Sequence, residues 1–190
     1  MRNWDITDLI KIKYGSVAVA GAMIGDIQGQ VKECLKSVGT VSTPQNGIIK
    51  CDIITDNSSK SILSYKFKGD NRQWLYNINI ITSYNVYPQE TIEHLDSFVK
   101  SNFNERYWFI AEHDNVGIDN YRICYYNYIC QFLVELHCFS NNDYRLDINI
   151  LQYEREEDYP LFERSIYETI SSLIREKENM KEEISKIIDN

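Results

Sequence analysis

The sequence has few of the residues that interrupt a chain or bind metal ions. Its 190 residues include three prolines, eight glycines and three histidines. So little proline and glycine excludes a collagen-like chain and leaves no room for a long flexible linker. With 43% hydrophobic and 25% charged residues, the composition also excludes an intrinsically disordered chain. It predicts one globular domain, or one domain with an extension.

Long apolar runs and paired cysteine motifs are also missing. The longest apolar stretch, Val17–Ile24, is far shorter than the roughly 20 residues of a membrane span, so we predict no membrane partner. None of the five cysteines lies in a Cys-x-x-Cys pair, and Cys124, Cys130 and Cys138 lie in apolar runs. Reduced, buried thiols are typical of cytoplasmic proteins, so we expect a cytoplasmic location.

Positive charge is in the minority. The chain has 20 Lys and Arg against 28 Asp and Glu, which gives a net charge of −8. Because nucleic-acid binding needs clustered Lys and Arg, we predict no nucleic-acid partner. Four of these acids, Glu154, Glu156, Glu157 and Asp158, form a cluster that either favours a helix start or docks a basic protein.

Hydrophobic periodicity divides the chain near a turn at residues 42–47. Residues 1–46 form a glycine-rich, partly helical segment, with a helix predicted over Val17–Leu35. Residues 47–190 form an α+β sandwich domain, and the sequence leaves open whether 1–46 packs on it. Period-two alternation predicts strands over Ile48–Thr55, Ile62–Lys68, Trp74–Ser83, Tyr107–Glu112, Tyr121–Ile129, Phe132–Phe139 and Tyr144–Tyr153.

Two helices complete the domain. Apolar residues at Ile92, Leu95 and Val99 predict a central helix that starts near Pro88. A long C-terminal helix is predicted from about Asp158. The fold class is therefore α+β: an antiparallel sheet of about six to seven strands, with the central and C-terminal helices packed on one face.

Within this sheet the side-chain pattern predicts which residues share a face. In the third strand, Trp74, Tyr76, Ile78 and Ile80 are expected on the same face. Residues 132–138 and 144–150 give matching apolar sets, joined by a hairpin loop at 140–143.

The order of elements resembles the Mog1/PsbP/DcrB-like family of small α+β sandwiches. In that family a helix follows the first strands, and a meander and a closing helix come after it. The resemblance covers about Ile48–Ile174. It implies a fold and no functional residues, because that fold hosts unrelated roles.

A second resemblance is confined to residues 21–29. The string Gly-Ala-Met-Ile-Gly-Asp-Ile-Gln-Gly is similar to the opening motif of ADP-ribosylglycohydrolases, which would place Asp26 near a site. Those enzymes are all-helical and bind magnesium through paired aspartates, whereas this chain has no Asp-Asp pair and is rich in predicted strands. We therefore interpret residues 21–29 as a small-residue packing segment.

Candidate catalytic and metal-binding residues are sparse. His113, Asp114 and His137 are the first to consider, with Cys124, Cys130 or Cys138 as thiol partners. Adjacent residues on a strand point to opposite faces, so Glu112, His113 and Asp114 cannot converge unaided. The chain also lacks the common hydrolase, nucleotide-binding and zinc-protease motifs. We predict no catalytic residues, no metal and no cofactor.

Tyrosine is the residue type in greatest excess, at 14 positions. Consecutive aromatics on neighbouring predicted strands must occupy both faces of the sheet. The pattern therefore favours either a thick core with edge tyrosines or an exposed protein-binding face. The candidate partner-binding residues are Trp108, Tyr121, Tyr125, Tyr126, Tyr128, Glu154, Glu156, Glu157 and Asp158.

These observations predict a non-enzymatic protein-binding module. Its partner is a protein, expected to be basic, and one such role is that of an immunity protein that neutralises a toxin. The alternatives are a secretion chaperone, a phage-type protein that forms homo-oligomers through residues 177–188, and an enzyme with an unrecognised site.

Overall fold

A computed structural model describes residues 3–13, 16–55, 60–69, 73–103, 109–114, 121–126, 130–139 and 143–152. All of them belong to the first of the two units into which the chain divides, Met1–Gln152. The helices are α1 (Ile6–Leu9), α2 (Gln28–Leu35) and α3 (Gln89–Asn102). The strands are β1 (Asn3–Trp4), β2 (Ile10–Lys13), β3 (Ser16–Val19), β4 (Ala22–Met23), β5 (Thr40–Gln45), β6 (Ile48–Thr55), β7 (Lys60–Lys68), β8 (Trp74–Tyr84), β9 (Phe109–Asp114), β10 (Tyr121–Tyr126), β11 (Cys130–Cys138) and β12 (Tyr144–Gln152).

Most of these strands form one large sheet. Its antiparallel part runs in the order β6-β7-β8-β12-β11-β10-β9. On the other side of β6, β5 pairs antiparallel with the first half of the strand and β1 pairs parallel with its end. Strands β2, β3 and β4 form a separate three-stranded antiparallel sheet. The predicted antiparallel sheet of an α+β protein is confirmed, and the predicted C-terminal helix lies outside the described residues.

One face of the large sheet, called here the inner face, carries the core. Alternate residues of neighbouring strands meet in register, as Ile80 does with Ile148 of β12. Because side chains alternate along a strand, this register gathers the apolar set on a single face. Buried residues of the inner face include Ile49, Cys51, Ile53, Leu63, Tyr65, Leu75, Ile78, Ile80, Ile123, Tyr125, Phe132, Val134, Leu136, Leu146, Ile148 and Ile150.

Helix α3 and the N-terminal elements cover this face. Ile92, Leu95 and Val99 are the buried stripe of α3, as the apolar spacing predicts. At the end of that helix the ring of Phe103 lies 4.9 Å from the ring of Phe132 on β11. Residues of α1, α2 and β3 belong to the same core cluster as β6 and β7. The described part of 1–46 therefore packs on the large sheet.

The N-terminal segment differs from its prediction. A helix was expected over Val17–Leu35, but the structure forms β3 first and restricts the helix to α2. Ala20 and Gly21 have φ angles of +51° and +85°, which are incompatible with an α-helix, and the chain reverses there into β4. Val17 and Val19 are β-branched and favour a strand.

The side-chain alternation of β8 is also displaced. The pairing of β7 with β8 shifts between Lys66 and Phe67, so Tyr76 has no partner in β7. A β-bulge of this kind re-aims the side chains that precede it. Leu75 is fully buried and Trp74 is 39% exposed. The prediction that Trp74 and Tyr76 share a face with the following isoleucines was wrong, because a bulge leaves no mark in simple alternation.

The hairpin of β11 and β12 agrees with its prediction. Phe132 pairs with Ile150, and Leu136 pairs with Leu146. The backbone N–H of Phe139 donates to the carbonyl oxygen of Asp143 at 2.8 Å, which ties the two strand ends together.

Gly39 makes the closest backbone approach among the described glycines. A Cβ atom there would lie 2.3 Å from the carbonyl oxygen of Asp52 and 2.7 Å from Cγ2 of Ile53. We expect Gly39→Ala to lower the free energy of unfolding by more than about 2 kcal/mol, because backbone must move. Gly29 in α2 has open space, since nothing lies within 4 Å of the position that its Cβ atom would take. Gly29→Ala should instead raise stability by about 0.5–1 kcal/mol. Urea unfolding of both variants checks this, and equal effects would contradict it.

Tyr65 connects the two sheets. Its ring is fully buried, and its hydroxyl donates to the carbonyl oxygen of Val19 at 3.2 Å. We expect Tyr65→Phe to cost about 1 kcal/mol, because the Val19 carbonyl loses its donor inside the core. Tyr76→Phe, at a half-buried tyrosine, is the matched control and should change stability by less than about 0.5 kcal/mol. A Tyr65→Phe protein as stable as wild type in urea titrations would remove this role.

Candidate functional site

A cleft lies where β8 leads into α3. It consists of two cavities of about 530 and 300 Å³ that share Tyr84, Glu90 and Thr91 as lining residues. The larger cavity follows the connection between the two elements. The smaller one reaches Asp5 and His94 and thus lies between the N-terminal segment and α3. Concave sites with ionisable groups are the first places to look for binding or catalysis.

Asp5 and His94 form the main polar contact of the smaller cavity. Nδ1 of His94 lies 2.9 Å from Oδ2 of Asp5. Oδ1 of Asp5 accepts from the backbone N–H of Thr7 at 2.8 Å and from its hydroxyl at 2.6 Å, which caps α1. Burial opposes ionisation of Asp5, but the hydrogen bonds from Thr7 and the contact with His94 outweigh it and lower the pKa of this carboxyl.

The chemistry of this pair is limited. An ionised carboxylate only accepts hydrogen bonds, so Nδ1 of His94 is the donor in this contact. The two side chains lie on α3 and at the cap of α1, and they hold these helices together. Since this contact already gives both residues a structural role, we interpret the pair as a clamp between α1 and α3.

The opposite face of the large sheet, called here the outer face, mixes charged and polar side chains with half-buried apolar ones. Across β10, β11 and β12, Nε of Arg122 lies 3.1 Å from Oε1 of Glu135. Nε of Arg145 donates to Oδ1 of Asp147 at 2.9 Å, and Nε2 of His137 lies 3.6 Å from Oδ2 of the same carboxylate. We call these five residues the charged ladder. Their side chains are 16–44% exposed, so they are accessible to a partner while being held in place by one another.

The outer face of β6, β7 and β8 has a different character. Lys66 pairs across strands with Asn77, and Lys68 pairs with Trp74. The ammonium of Lys68 lies 5.3 Å from the centre of the Tyr76 ring, within the range of a cation–π contact. Sequence reasoning missed this cluster, because the bulge at Tyr76 brings the aromatics to the lysine side of the sheet.

The structure places the predicted partner-binding residues unevenly. Tyr125 is 6% exposed, and its ring lies 4.7 Å from that of Phe103, so the tyrosine faces the core. Tyr121 and Tyr126 are the end residues of β10. The remaining candidates, Trp108, Tyr128, Glu154, Glu156, Glu157 and Asp158, lie outside the described residues, as does the proposed oligomer segment 177–188.

The candidate catalytic and metal-binding histidines of the sheet lie on different strands. His113 pairs with Ile123 in the β9–β10 ladder, whereas His137 belongs to the β11 part of the charged ladder. Among the residues described, no group of three His, Cys, Asp or Glu is placed to hold a metal ion. No described helix is both long enough and apolar enough to cross a membrane.

The cysteines are all free, and their burial differs from expectation at two positions, one of which is the half-buried Cys34. Cys51, Cys124 and Cys130 are buried, but Cys138 is exposed. Cys138 is the last residue of β11, beyond the covered part of the sheet, so its apolar neighbours do not enclose it. Asp26 of the glycine-rich string has a structural contact, since its Oδ2 accepts from the backbone N–H of Met23 at 2.8 Å and closes a turn.

The carboxylate of Asp5 makes stability depend on acid pH. Because its folded pKa is lowered, its contribution is present above the unfolded pKa and is lost as pH falls through the folded value. We expect Asp5→Asn, which keeps a capping side chain, to be less stable than wild type near neutral pH, and the difference to shrink as pH falls through the lowered folded pKa of Asp5. Asp8→Asn, which removes an exposed charge in the same helix, is the control and should give no such convergence. Urea titrations from neutral to acid pH measure the free energy of unfolding of each variant. A difference between Asp5→Asn and wild type that does not change with pH would contradict the clamp.

Three comparisons with known proteins found no match to this chain. No protein-family model matches it. No curated protein matches it, and no solved structure does either. The resemblance in element order to the Mog1/PsbP/DcrB-like family therefore stays a prediction from sequence, and function has to be argued from the chain's own surfaces.

Proposed function

We propose that the protein is a protein-binding module and that the outer face of the large sheet is its docking surface. The observation that carries the proposal is the charged ladder. Charged side chains that are fixed by their neighbours and still partly exposed lose little conformational freedom on binding. They discriminate between partners, because a wrong partner would place like charges together.

The size of the face supports this proposal. Strands β6, β7, β8, β12, β11 and β10 span five inter-strand spacings, or about 24 Å, and each contributes about 20 Å along its length. The product is on the order of 500 Å² for the whole face, from which the positions already buried within the chain, Cys124 and Asn77, are excluded; a standard interface buries ~800 Å² on each partner. Ile62, 37% exposed near the β7 side of this face, supplies an apolar contact that a partner could cover.

The net charge of −8 supports a basic partner and a role of the immunity-protein kind, since opposite net charges speed the encounter of two proteins. We therefore infer neutralisation of a basic protein as the function, in the cytoplasm. The secretion chaperone, the oligomeric phage-type protein and the enzyme stay predictions that no described contact favours.

A pair of matched variants tests the docking surface. The partner is first captured from native-host lysate at moderate salt, identified by mass spectrometry and purified. We expect Ile62→Arg to raise its Kd at least about tenfold, because a charged side chain then enters an interface built around an apolar one. Val86→Arg makes the same change at a residue that is 71% exposed in the β8–α3 connection, and it should leave Kd unchanged.

Two results would contradict the proposal. One is the absence of any stoichiometric protein partner. The other is a partner whose Kd responds equally to both substitutions, or only to Val86→Arg. Circular dichroism of the variants ensures that a loss of binding is not a loss of folding.

A further inference from the structure

The outer face of β6, β7 and β8 is basic although the chain is acidic. Four lysines lie on this face, and the described acids near them are Asp52 and, in the cavity that Lys60 also lines, Glu90. The four lysines are Lys50, Lys60, Lys66 and Lys68. Within the described part of the chain, Lys50, Lys60 and Lys66 form no ion pair.

Two of these lysines lie beside two aromatic residues of β8, and a third lies farther along the same face on β6. Lys66 and Lys68 alternate with a buried residue on β7, and Lys50 lies on β6 one register step away, opposite Ser64. On β8, Trp74 lies opposite Lys68, and Tyr76 lies under the Lys68 ammonium. We call these five residues, Lys50, Lys66, Lys68, Trp74 and Tyr76, the aromatic–lysine patch.

The spacing of the patch matches an extended peptide. Residues two apart on a strand, such as Lys66 and Lys68, are separated by about 6.6–6.8 Å, and the same repeat separates alternate side chains of any extended chain. An extended segment with an acid at every second position therefore presents carboxylates in step with these ammoniums. Trp74, which is 39% exposed and lies beside Lys68, offers an apolar surface against which the backbone and the acid stems of such a segment can pack.

We propose that the aromatic–lysine patch binds a short acidic segment of a polypeptide partner. The inference rests on the proposed function and names the chemistry that one end of the docking surface recognises. A partner that is basic overall satisfies both inferences, because net charge acts at long range and the patch acts on contact, within a screening length of about 8 Å.

A polypeptide fits this patch better than a nucleic acid does. Nucleic-acid binding gains its affinity from many phosphate contacts, whereas three lysines supply few. A continuous polyanion would also extend beyond the patch over a chain that carries a net charge of −8. An acidic peptide segment confines its negative charge to the patch.

The experiment uses the full chain and a short labelled peptide of alternating aspartate and phenylalanine, followed by fluorescence anisotropy. We expect saturable binding that weakens at least about tenfold when Lys66→Glu and Lys68→Glu are combined. Trp74→Ala should also weaken it, by about threefold or more. The matched control combines Lys36→Glu with Lys100→Glu, which makes the same change in net charge at lysines that are 66% and 74% exposed in α2's C-cap and α3. It should bind like wild type.

Several outcomes would overturn the inference. They are no saturable peptide binding, equal losses in the patch and control variants, equal binding of the asparagine counterpart of the peptide, and preferential binding of a single-stranded oligothymidylate of similar length. The proposed function fails separately, through the partner's response to Ile62→Arg and Val86→Arg. Suppose that Ile62→Arg weakens partner binding while the acidic peptide does not bind. That result would overturn the patch inference and leave the proposed docking surface standing.

Discussion

The apolar layer on the inner face of the large sheet is the constraint on which the other features depend. At its centre, β8 and β12 place Ile80 against Ile148 and Ile78 against Ile150, and all four are fully buried. Burying one such side chain stabilises the fold by about 1.5–3 kcal/mol. A slip of one residue in the β8–β12 register would move the whole set to the other face. The register is therefore strongly determined, and it determines in turn which side chains reach the outer face.

The same layer explains how the outer face tolerates unfavourable neighbours. Glu135 and Asp147 lie directly opposite each other in the β11–β12 ladder, which is repulsive for two carboxylates. Arg122 and Arg145 flank them and offset that repulsion. Partly exposed ion pairs contribute little to stability, about 0–1 kcal/mol each. Since the core fixes the strands, the charged residues contribute little to holding the fold, which is consistent with the proposed docking role.

Sequence alone predicts the parts of this fold in which one period continues without interruption. The β11–β12 hairpin and the buried stripe of α3 are such parts, because each apolar residue repeats at the spacing of its element. The β8 bulge and the positive φ of Ala20 and Gly21 interrupt the apolar period locally, and a single sequence does not show where such interruptions fall. The predicted face of Trp74 and the predicted helix at Val17 were wrong for this reason.

Contacts between distant parts of the chain are harder to predict. Asp5 and His94 are 89 positions apart, and nothing in either neighbourhood points to the other. Of the candidate tyrosines, Tyr125 faces the core, since the register sets it opposite Phe132. Aromatic excess alone cannot separate a packing residue from a binding one, because both uses favour the same side chains.

Net charge is a property of the whole chain, whereas recognition depends on where charges lie. A value of −8 correctly describes the long-range field, which decays within about 8 Å at physiological salt. At contact distance a partner meets only the residues beneath it, and on β7 these include Lys60, Lys66 and Lys68. A strand with a buried inner face can vary its outer residues freely, so one sheet can carry a charge opposite to that of its chain. The sign of a composition therefore describes the chain as a whole, and the register of the sheet decides which charges any one part of its surface presents.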